Sequence, residues 1–321
     1  MKNIWIDCDT GFDDLIAIAL IGTDPNHKIL GISTVVGNTS IDWTTSNTLS
    51  TVENFNLDAA VYRGCARPLA QDPCTIESLL GKAGMGTINR PLPLPRKRQE
   101  ENENAVSALI RTLQSASEPL TILATGPLTN IAVVLMLRPD LASKIDELVF
   151  MGGSYGFGNH TTAAEFNAFA DPEALDALIR AGIPLKMFGL NLTNQVLITA
   201  EHAKQIRSVG SEFAEVVADL LEKYLRIRDP ERCQPMALHD PSAAAYLLWP
   251  ELFEMRPGVL SIELHGGVAR GATFCEFRPK RISKPNAEIA MKAEGVEVAN
   301  RVTERIVSAL KKLRVTSEVV P

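Results

Sequence analysis

The chain has 321 residues, of which 45% are hydrophobic and 22% charged, and its formal net charge is -6. These values are typical of a globular protein and exclude a disordered chain, a collagen-like repeat and a coiled coil. Because nucleic acids and anionic membranes attract basic surfaces, the acidic balance argues against either of them as the main partner.

Strand-like and helix-like patterns alternate over the first part of the chain. Short runs rich in Ile, Leu and Val predict strands at residues 3–7, 28–36, 59–62, 119–124, 145–151 and 185–190. Apolar residues at helical spacing predict helices at residues 13–21, 40–55, 104–115, 127–137 and 171–181. This alternation predicts an α/β fold with an open, mainly parallel central sheet and helices on both faces.

The later part of the chain is richer in helix. Helices are predicted at residues 200–207, 211–228, 240–249 and 300–313, and strands at residues 259–264 and 273–277. Two stretches, residues 65–98 and 152–170, lack a regular pattern, and long ordered loops of this kind often bind ligands. No stretch has the composition of a linker, so we expect residues 1–321 to form a single domain.

Four aspartates, Asp7, Asp9, Asp13 and Asp14, lie at the end of the first predicted strand. Asp7 and Asp9 point to the same side if the strand persists, and ligands of open α/β sheets bind beyond the carboxyl ends of the strands. One aspartate could be explained as a helix cap, but four are harder to explain in this way. Crowded carboxylates raise one another's pKa, and a divalent cation such as Ca²⁺ or Mg²⁺ removes that cost, so the segment predicts a metal site.

The aspartates alone leave two interpretations open. The first is a Mg²⁺-dependent aspartyl phosphohydrolase of the haloacid dehalogenase type, with Asp7 or Asp9 as nucleophile. The first motif of that class, Asp-x-Asp-x-Thr/Val, fits Asp7 and Asp9, but its fifth position is Gly11 here. The second interpretation depends on segments elsewhere in the chain.

Four further segments decide between these interpretations. They are residues 36–39 (Val-Gly-Asn-Thr), residues 124–130 (Ala-Thr-Gly-Pro-Leu-Thr-Asn), Asn159 with residues 164–167 (Ala-Glu-Phe-Asn), and residues 239–241 (His-Asp-Pro). Together with the aspartates, and in this order, they resemble the inosine–uridine-preferring nucleoside hydrolase family. The dehalogenase interpretation explains only the first of the five segments.

The resemblance implies a ribonucleoside substrate whose N-glycosidic bond is hydrolysed to ribose and free base, through a metal-activated water and an oxocarbenium-like transition state. The implied ligands of a Ca²⁺ ion are the side chains of Asp9, Asp14 and Asp240 and the main-chain carbonyl of Thr125. Asp9 would also be the base that activates the water. The residues implied to hold the ribose hydroxyls are Asp13, Asn38, Asn159, Glu165 and Asn167.

The nucleobase side of the site departs from the best-known family pattern. Many relatives carry a His-Gly-x-x-Gly-Leu-Gly segment whose His lies beside the nucleobase, whereas residues 80–86 here begin with Leu80. Leucine cannot donate a proton, so the preferred base and the acid that assists its departure stay open. A nucleoside binder without catalytic activity is therefore a further alternative.

The remaining candidates for contact with the base lie near the metal ligands in the sequence. The resemblance implies that His239 faces the nucleobase and protonates or hydrogen-bonds it. Tyr224, Arg226 and Arg228 are also candidates, although a solvated basic face is the simpler explanation for them. The Gly-rich residues 153–158 are not a dinucleotide fingerprint and indicate backbone freedom near a pocket.

Cellular context follows from signals that the sequence lacks. No apolar run approaches the roughly 20 residues of a transmembrane helix, and the N-terminus has no signal-peptide pattern. The five cysteines are scattered without a C-x-x-C pair, which is typical of reduced thiols. We therefore expect a cytoplasmic enzyme of purine or pyrimidine salvage, and the resemblance implies a homodimer or homotetramer.

Overall fold

A computed structural model of the protein describes residues 1–85, 92–279 and 283–319, and within these ranges nine strands form one sheet and two short strands a second. The strands are β1 (Lys2–Cys8), β2 (His27–Thr34), β3 (Val61–Arg63), β4 (Leu120–Ala124), β5 (Ile145–Met151), β6 (Leu185–Phe188), β7 (Leu197–Ile198), β8 (Met236–Ala237), β9 (Phe253–Ile262), β10 (Thr273–Glu276) and β11 (Ala287–Ala293).

Twelve α-helices lie in the same described ranges, and three short 3₁₀ helices supplement them at Pro139–Lys144, Pro250–Leu252 and Gly267–Ala269. The α-helices are α1 (Phe12–Gly22), α2 (Ile41–Asn54), α3 (Glu77–Leu80), α4 (Ala105–Ser115), α5 (Thr129–Leu137), α6 (Phe166–Ala170), α7 (Pro172–Ala181), α8 (Leu190–Thr193), α9 (Ala200–Arg207), α10 (Glu212–Tyr224), α11 (Asp240–Leu248) and α12 (Gly295–Val319). None of the helices within the described part of the chain is long and apolar enough to cross a bilayer.

The large sheet has the strand order β10-β9-β11-β6-β5-β4-β1-β2-β3. Its strands from β11 to β3 run parallel, whereas β9 pairs antiparallel with both β11 and β10 at one edge. The predicted open, mainly parallel sheet is therefore confirmed. Asp7 of β1 lies between Ser33 of β2 and Ala124 of β4, so the loops that follow these three strands are neighbours.

Helices cover both faces of the sheet, and each face has its own hydrophobic core. One core contains residues of α1, α2, α9, α10, α11 and α12. The other contains residues of α4, α5 and α7 and surrounds the fully buried Trp5. The Trp5 ring stacks on Tyr62 at 5.5 Å between centroids, and its indole N–H donates to Ser33 Oγ. Helix α1 is buried from Leu15 through Ile21 because it packs on the sheet, on α11 and on α12.

The predicted elements occur in the predicted order, but several short elements, among them α3, α8, β7 and β8, were not predicted. Strand β11 was not predicted because Glu288 and Lys292 interrupt its apolar pattern; Glu288 pairs with Lys186 of the neighbouring strand at 3.4 Å. Residues 166–170 form α6 inside a stretch predicted to be irregular. Helix α10 ends at Tyr224 rather than at residue 228, because tight backbone turns take over there.

Candidate active site

Loops at the carboxyl edge of the parallel strands surround a cavity of about 480 Å³. The predicted site residues that line it are Asp13, Asn38, Thr125, Asn159, Glu165, Asn167, His239 and Asp240. Asp9 and Asp14 are buried beside it. A second cavity, of about 640 Å³, lies between the C-terminal ends of α1 and α2 and the middle of α12, and none of these residues lines it. The site residues predicted from separate segments of the sequence therefore line the first cavity or lie beside it.

Three carboxylates meet where the N-termini of two packed helices converge. Oxygen atoms of Asp13 and Asp14, in the first turn of α1, and of Asp240, at the start of α11, lie within 4.8 Å of one another. The positive ends of the two helix dipoles favour negative charge here. Burial and then the Asp14 charge raise the pKa of Asp13 to about 7, and burial and then the charges of Asp13 and Asp14 raise that of Asp240. A cation would relieve this repulsion.

Asp9 borders this trio and has one carboxylate oxygen without a partner in the described part of the chain. Its Oδ2 accepts a hydrogen bond from the Asn38 backbone N–H at 2.6 Å, whereas Oδ1 is buried with no partner among the described residues. Burial and then the Asp14 charge raise the pKa of Asp9 well above its usual range. An orphaned buried oxygen beside three crowded carboxylates fits a divalent cation, because Ca²⁺ and Mg²⁺ bind oxygen ligands.

Two glycines let the backbone approach the Asp9 carboxylate. A Cβ at Gly37 would lie 2.1 Å from Asp9 Oδ2, and a Cβ at Gly126 would lie 2.9 Å from Asp9 Oδ1. Any larger residue at either position would push the carboxylate away. These glycines belong to segments that the sequence singled out, and their part in the site is to leave room for Asp9.

Asp14 and the main chain at Thr125 are held by a short chain of hydrogen bonds. Thr125 Oγ1 donates to Asp14 Oδ1 at 2.6 Å, and Gly11 N–H donates to Asp14 Oδ2 at 2.8 Å. The Thr125 carbonyl accepts from Asn167 Nδ2 at 2.7 Å, and the same amide also donates to the Met151 carbonyl. A carbonyl oxygen has two lone pairs, so the second remains for another ligand. The prediction of Thr125 as a metal ligand is compatible with this geometry.

Glu165 and Asn159 fix the short helix that carries Asn167. The Glu165 carboxylate caps α6: it accepts from the backbone N–H groups of Asn167 and Ala168, and it also accepts from that of Gly153. Asn159 Oδ1 accepts from the Phe166 N–H at 3.0 Å. All three predicted ribose-binding residues of this loop line the cavity. The hydrogen bonds that Glu165 and Asn159 make in the structure hold the loop in place. Contact with ribose stays a prediction.

Asp7 faces away from the other aspartates. Its Oδ1 accepts from Ser33 Oγ and from Asn130 Nδ2, the latter at 2.8 Å, and it does not line the cavity. The strand ends at Cys8, so the two-residue spacing does not put Asp7 and Asp9 on one side. Burial raises the pKa of Asp7 to about 7. A role for Asp7 as a nucleophile finds no support in this position.

Of the four residues predicted to contact the nucleobase, three line the cavity and one does not. His239, Tyr224 and Arg228 line the cavity, whereas Arg226 does not and donates to the Pro230 carbonyl. Leu80 also lines it and is buried, so the position where relatives have a histidine presents only an aliphatic side chain. Tyr224 donates its hydroxyl proton to the Ala237 carbonyl at 2.8 Å, which occupies its donor within the fold.

His239 has a partner that the sequence did not reveal. Its Nδ1 lies 2.9 Å from Thr193 Oγ1, at the end of α8. Burial, followed by the Arg228 charge, lowers the pKa of His239 to about 4. The ring is therefore neutral near pH 7. No local signal marked Thr193, because it lies in a four-residue helix that was predicted neither as a helix nor as part of the site.

Comparison with known proteins assigns this arrangement to a family. A family model described as inosine-uridine preferring nucleoside hydrolase matches residues 4–300. The chain belongs to this family. The resemblance stated from the sequence is therefore confirmed, and so is the prediction that the chain is an enzyme of the nucleoside hydrolase type.

Individual nucleoside hydrolases resemble the chain over almost its whole length. The pyrimidine-specific ribonucleoside hydrolase RihA of Escherichia coli O7:K1 is 34% identical over 306 residues, covering 94% of this chain and 97% of that protein. RihB of Escherichia coli O1:K1 / APEC, also named pyrimidine-specific, is 34% identical and covers 86% and 87%. The solved purine-preferring ribonucleoside hydrolase from Gardnerella vaginalis is 28% identical, with a TM-score of 0.89 over 97% of this chain and 100% of that chain.

Replacing Gly37 by alanine tests whether the nucleoside hydrolase site needs the close approach at Asp9. The new Cβ would lie 2.1 Å from Asp9 Oδ2 and displace the carboxylate. We expect kcat/KM for nucleoside hydrolysis to fall about 100-fold or more, because displacements near 1 Å have such effects. Gly152→Ala is the matched control, since its Cβ would meet its neighbours at 3.5 Å. Equal activity of both variants, with unchanged circular dichroism, would contradict this account of Gly37.

Proposed function

We propose that this chain is a calcium-dependent ribonucleoside hydrolase that cleaves the N-glycosidic bond to give ribose and free base. The supporting observation is that Asp13, Asp14 and Asp240 meet at the wall of a cavity of about 480 Å³, beside an Asp9 oxygen that has no partner among the residues described. A cavity of that size is within the range of small-molecule sites. Family membership gives the reaction type, and the local chemistry supports the assignment of roles.

The donor set fits a hard divalent cation. We propose that Asp9, Asp14, Asp240 and the Thr125 carbonyl hold Ca²⁺, which accepts about 6–8 oxygen ligands. When bound, the ion would acidify water in the site and bind vicinal hydroxyls of the sugar. Burial and then the Asp14 charge raise the pKa of the neighbouring Asp13 to about 7, so without a cation this carboxyl group is partly protonated at neutral pH. Cation binding should therefore release protons.

Asp9 is the proposed general base. Its Oδ2 is fixed by the Asn38 N–H, and its Oδ1 has no hydrogen-bond donor among the described residues, so Oδ1 is available to take a proton from water. Gly37 and Gly126 hold the carboxylate in a narrow space, which limits the conformations it can adopt. A base that is fixed in position before the reaction needs little reorganisation during proton transfer.

The remaining polar wall is proposed to hold ribose and stabilise the transition state. Asp13, Asn38, Asn159, Glu165 and Asn167 all line the cavity. Hydroxyl groups need both donors and acceptors, which amides and carboxylates supply. As the base departs, positive charge develops on the sugar, and the surrounding carboxylates stabilise that charge.

His239 is proposed to assist the departing base as a neutral hydrogen-bond donor. If Thr193 donates to Nδ1, the ring proton is on Nε2, which can donate a hydrogen bond to an acceptor atom of the base and keep its proton. With a pKa of about 4, His239 is not an imidazolium acid at neutral pH. Arg228 also lines the cavity and supplies positive charge at that wall. RihA and RihB are named pyrimidine-specific and the Gardnerella enzyme purine-preferring, so both base classes belong in the assay.

Loss of the Asp9 base tests the proposed reaction directly. Ribose release from a panel of purine and pyrimidine ribonucleosides should require Ca²⁺, and Asp9→Asn should lower kcat by about 1,000-fold or more, because both the proton acceptor and a ligand charge are lost. Asp146→Asn, at an exposed carboxylate on β5, is the control and should retain activity. Calcium-independent turnover, or near-normal kcat in Asp9→Asn, would refute the proposal.

The sugar preference tests the proposed ribose contacts. A site built around the 2′-hydroxyl leaves buried polar groups unpaired when a 2′-deoxyribonucleoside binds. We expect kcat/KM for deoxyribonucleosides to be at least about 1,000-fold below that for the matching ribonucleosides. Equal rates for the two sugars in the same assay would argue against any role of the vicinal diol.

The lowered pKa of His239 predicts a pH-dependent stability. An unfolded histidine binds a proton below about pH 6.5, whereas folded His239 does so only near pH 4. Between pH 6.5 and 4 the unfolded state therefore binds more protons at this histidine than the folded state does. As the pH falls through this range, His239 lowers the free energy of unfolding. His239→Gln should reduce the loss of unfolding free energy between pH 7 and 5 by about 1–2 kcal/mol in urea titrations.

The exposed His265→Gln variant is the control for the stability measurement. If His239→Gln and wild type lose the same unfolding free energy between pH 7 and 5, the ring is not held neutral by its surroundings. That result would also remove the reason for treating His239 as a neutral donor.

The two alternative functions give distinct outcomes in the same assays. An aspartyl phosphohydrolase would release phosphate from simple phosphoesters with Mg²⁺, but Asp7 is turned to Ser33 and Asn130 and the family match opposes this function. A nucleoside binder would bind its ligand with saturating Ca²⁺ and release no ribose.

We further propose, from family membership, a cytoplasmic homodimer or homotetramer formed by single-domain subunits. Light scattering after size exclusion tests the assembly.

A further inference from the structure

Phe157 is an exposed aromatic residue at the wall of the active-site cavity. Its side chain contributes to the lining of the cavity, although 84% of the residue is exposed. It lies in the Gly-rich segment 153–158, between Gly156 and Gly158. The proposed mechanism uses none of these residues. An exposed phenylalanine ring at a binding site is free to contact a ligand.

The segment around Phe157 is fixed on both sides of the ring. On one side, Asn191 Oδ1 accepts from Ser154 Oγ and from the Tyr155 N–H. On the other side, the Gly158 N–H donates to the Thr162 carbonyl at 3.0 Å. The ring is therefore presented at the cavity by an anchored loop, while the ring itself has little of its surface covered by the protein.

The acidic residues lie at a buried part of the cavity wall, and Phe157 lies at its exposed rim together with Leu79 and the polar residues Asn159 and Arg228. Asp240 and Asn167 are 4% and 9% exposed, whereas the lining residues Leu79 and Phe157 are 57% and 84% exposed. Ribose, with its hydroxyls, suits the deep polar wall. A nucleobase attached to that ribose would extend away from the buried carboxylates towards the exposed rim, where Phe157 presents a flat aromatic ring.

We propose that Phe157 stacks on the nucleobase and sets the affinity for the base, without taking part in bond cleavage. This inference rests on the proposed function, because it assigns the deep wall to ribose. Stacking on an aromatic side chain is tolerant of base identity, since every base has a π-face. Phe157 would therefore supply affinity for purines and pyrimidines alike, larger for the larger purine ring system.

Truncation of the ring tests this assignment. Phe157→Ala should raise KM about tenfold for ribonucleosides and leave kcat nearly unchanged, because stacking on a base contributes about 1–3 kcal/mol. Phe157→Tyr and Phe157→Trp should restore KM, and Phe157→Leu should restore it only in part. Phe274→Ala removes another exposed aromatic ring, which lies outside the cavity lining, and is the matched control.

Calorimetric binding of the free base and of free ribose separates this inference from the proposed function. In Phe157→Ala the dissociation constant for the base should rise about tenfold, whereas that for ribose should stay the same. Equal base affinities in Phe157→Ala and Phe274→Ala would overturn the inference, even if wild type hydrolyses nucleosides. A parallel loss of kcat and ribose affinity would also overturn it. If wild type releases no ribose from any nucleoside, the proposed function fails, and the base-binding comparison still decides the role of Phe157.

Discussion

Mutual repulsion among buried carboxylates is the constraint around which this site is built. Asp13, Asp14 and Asp240 bring oxygens within 4.8 Å of one another, and Asp9 adds a fourth carboxylate with one oxygen that has no partner within the ranges that the structure describes. Two helix N-termini and donors such as Thr125 offset part of the repulsion. The rest of the repulsion is not offset by the hydrogen bonds described above, and a cation at this position would reduce it.

The sheet topology makes this concentration of charge possible. Strands β1, β2 and β4 are adjacent and parallel, so Asp9, Asn38 and Thr125, which follow them, emerge side by side. Helix α1 continues from β1, and its packing against α11 brings Asp240 to the same place from far along the chain. The buried apolar faces of these two helices thus hold the acidic residues together against their repulsion.

Much of this arrangement was predictable from the sequence, and the failures have physical causes. Alternating patterns predicted the sheet, and the clustered aspartates predicted where the chemistry lies. Hydrogen bonds between distant segments, such as that of His239 to Thr193, leave no local pattern. The separation of Asp7 from Asp9 depended on the residue at which β1 ends, which alternation alone does not define. Strand β11 was missed because a charged residue such as Glu288 interrupts its apolar pattern. The ion pair with Lys186 of a neighbouring strand, which offsets that charge, is not visible in the local sequence.

The position of β11 has a consequence for how the protein is made. This strand lies between β6 and β9, although it is formed by Ala287–Ala293, near the end of the chain. In a chain that lacked this segment, the parallel part of the sheet would stop at β6 and have an unpaired edge. Unpaired edges of nascent sheets are sites of intermolecular association. Completion of the sheet therefore depends on the C-terminal region, which is translated after all four aspartates of the site.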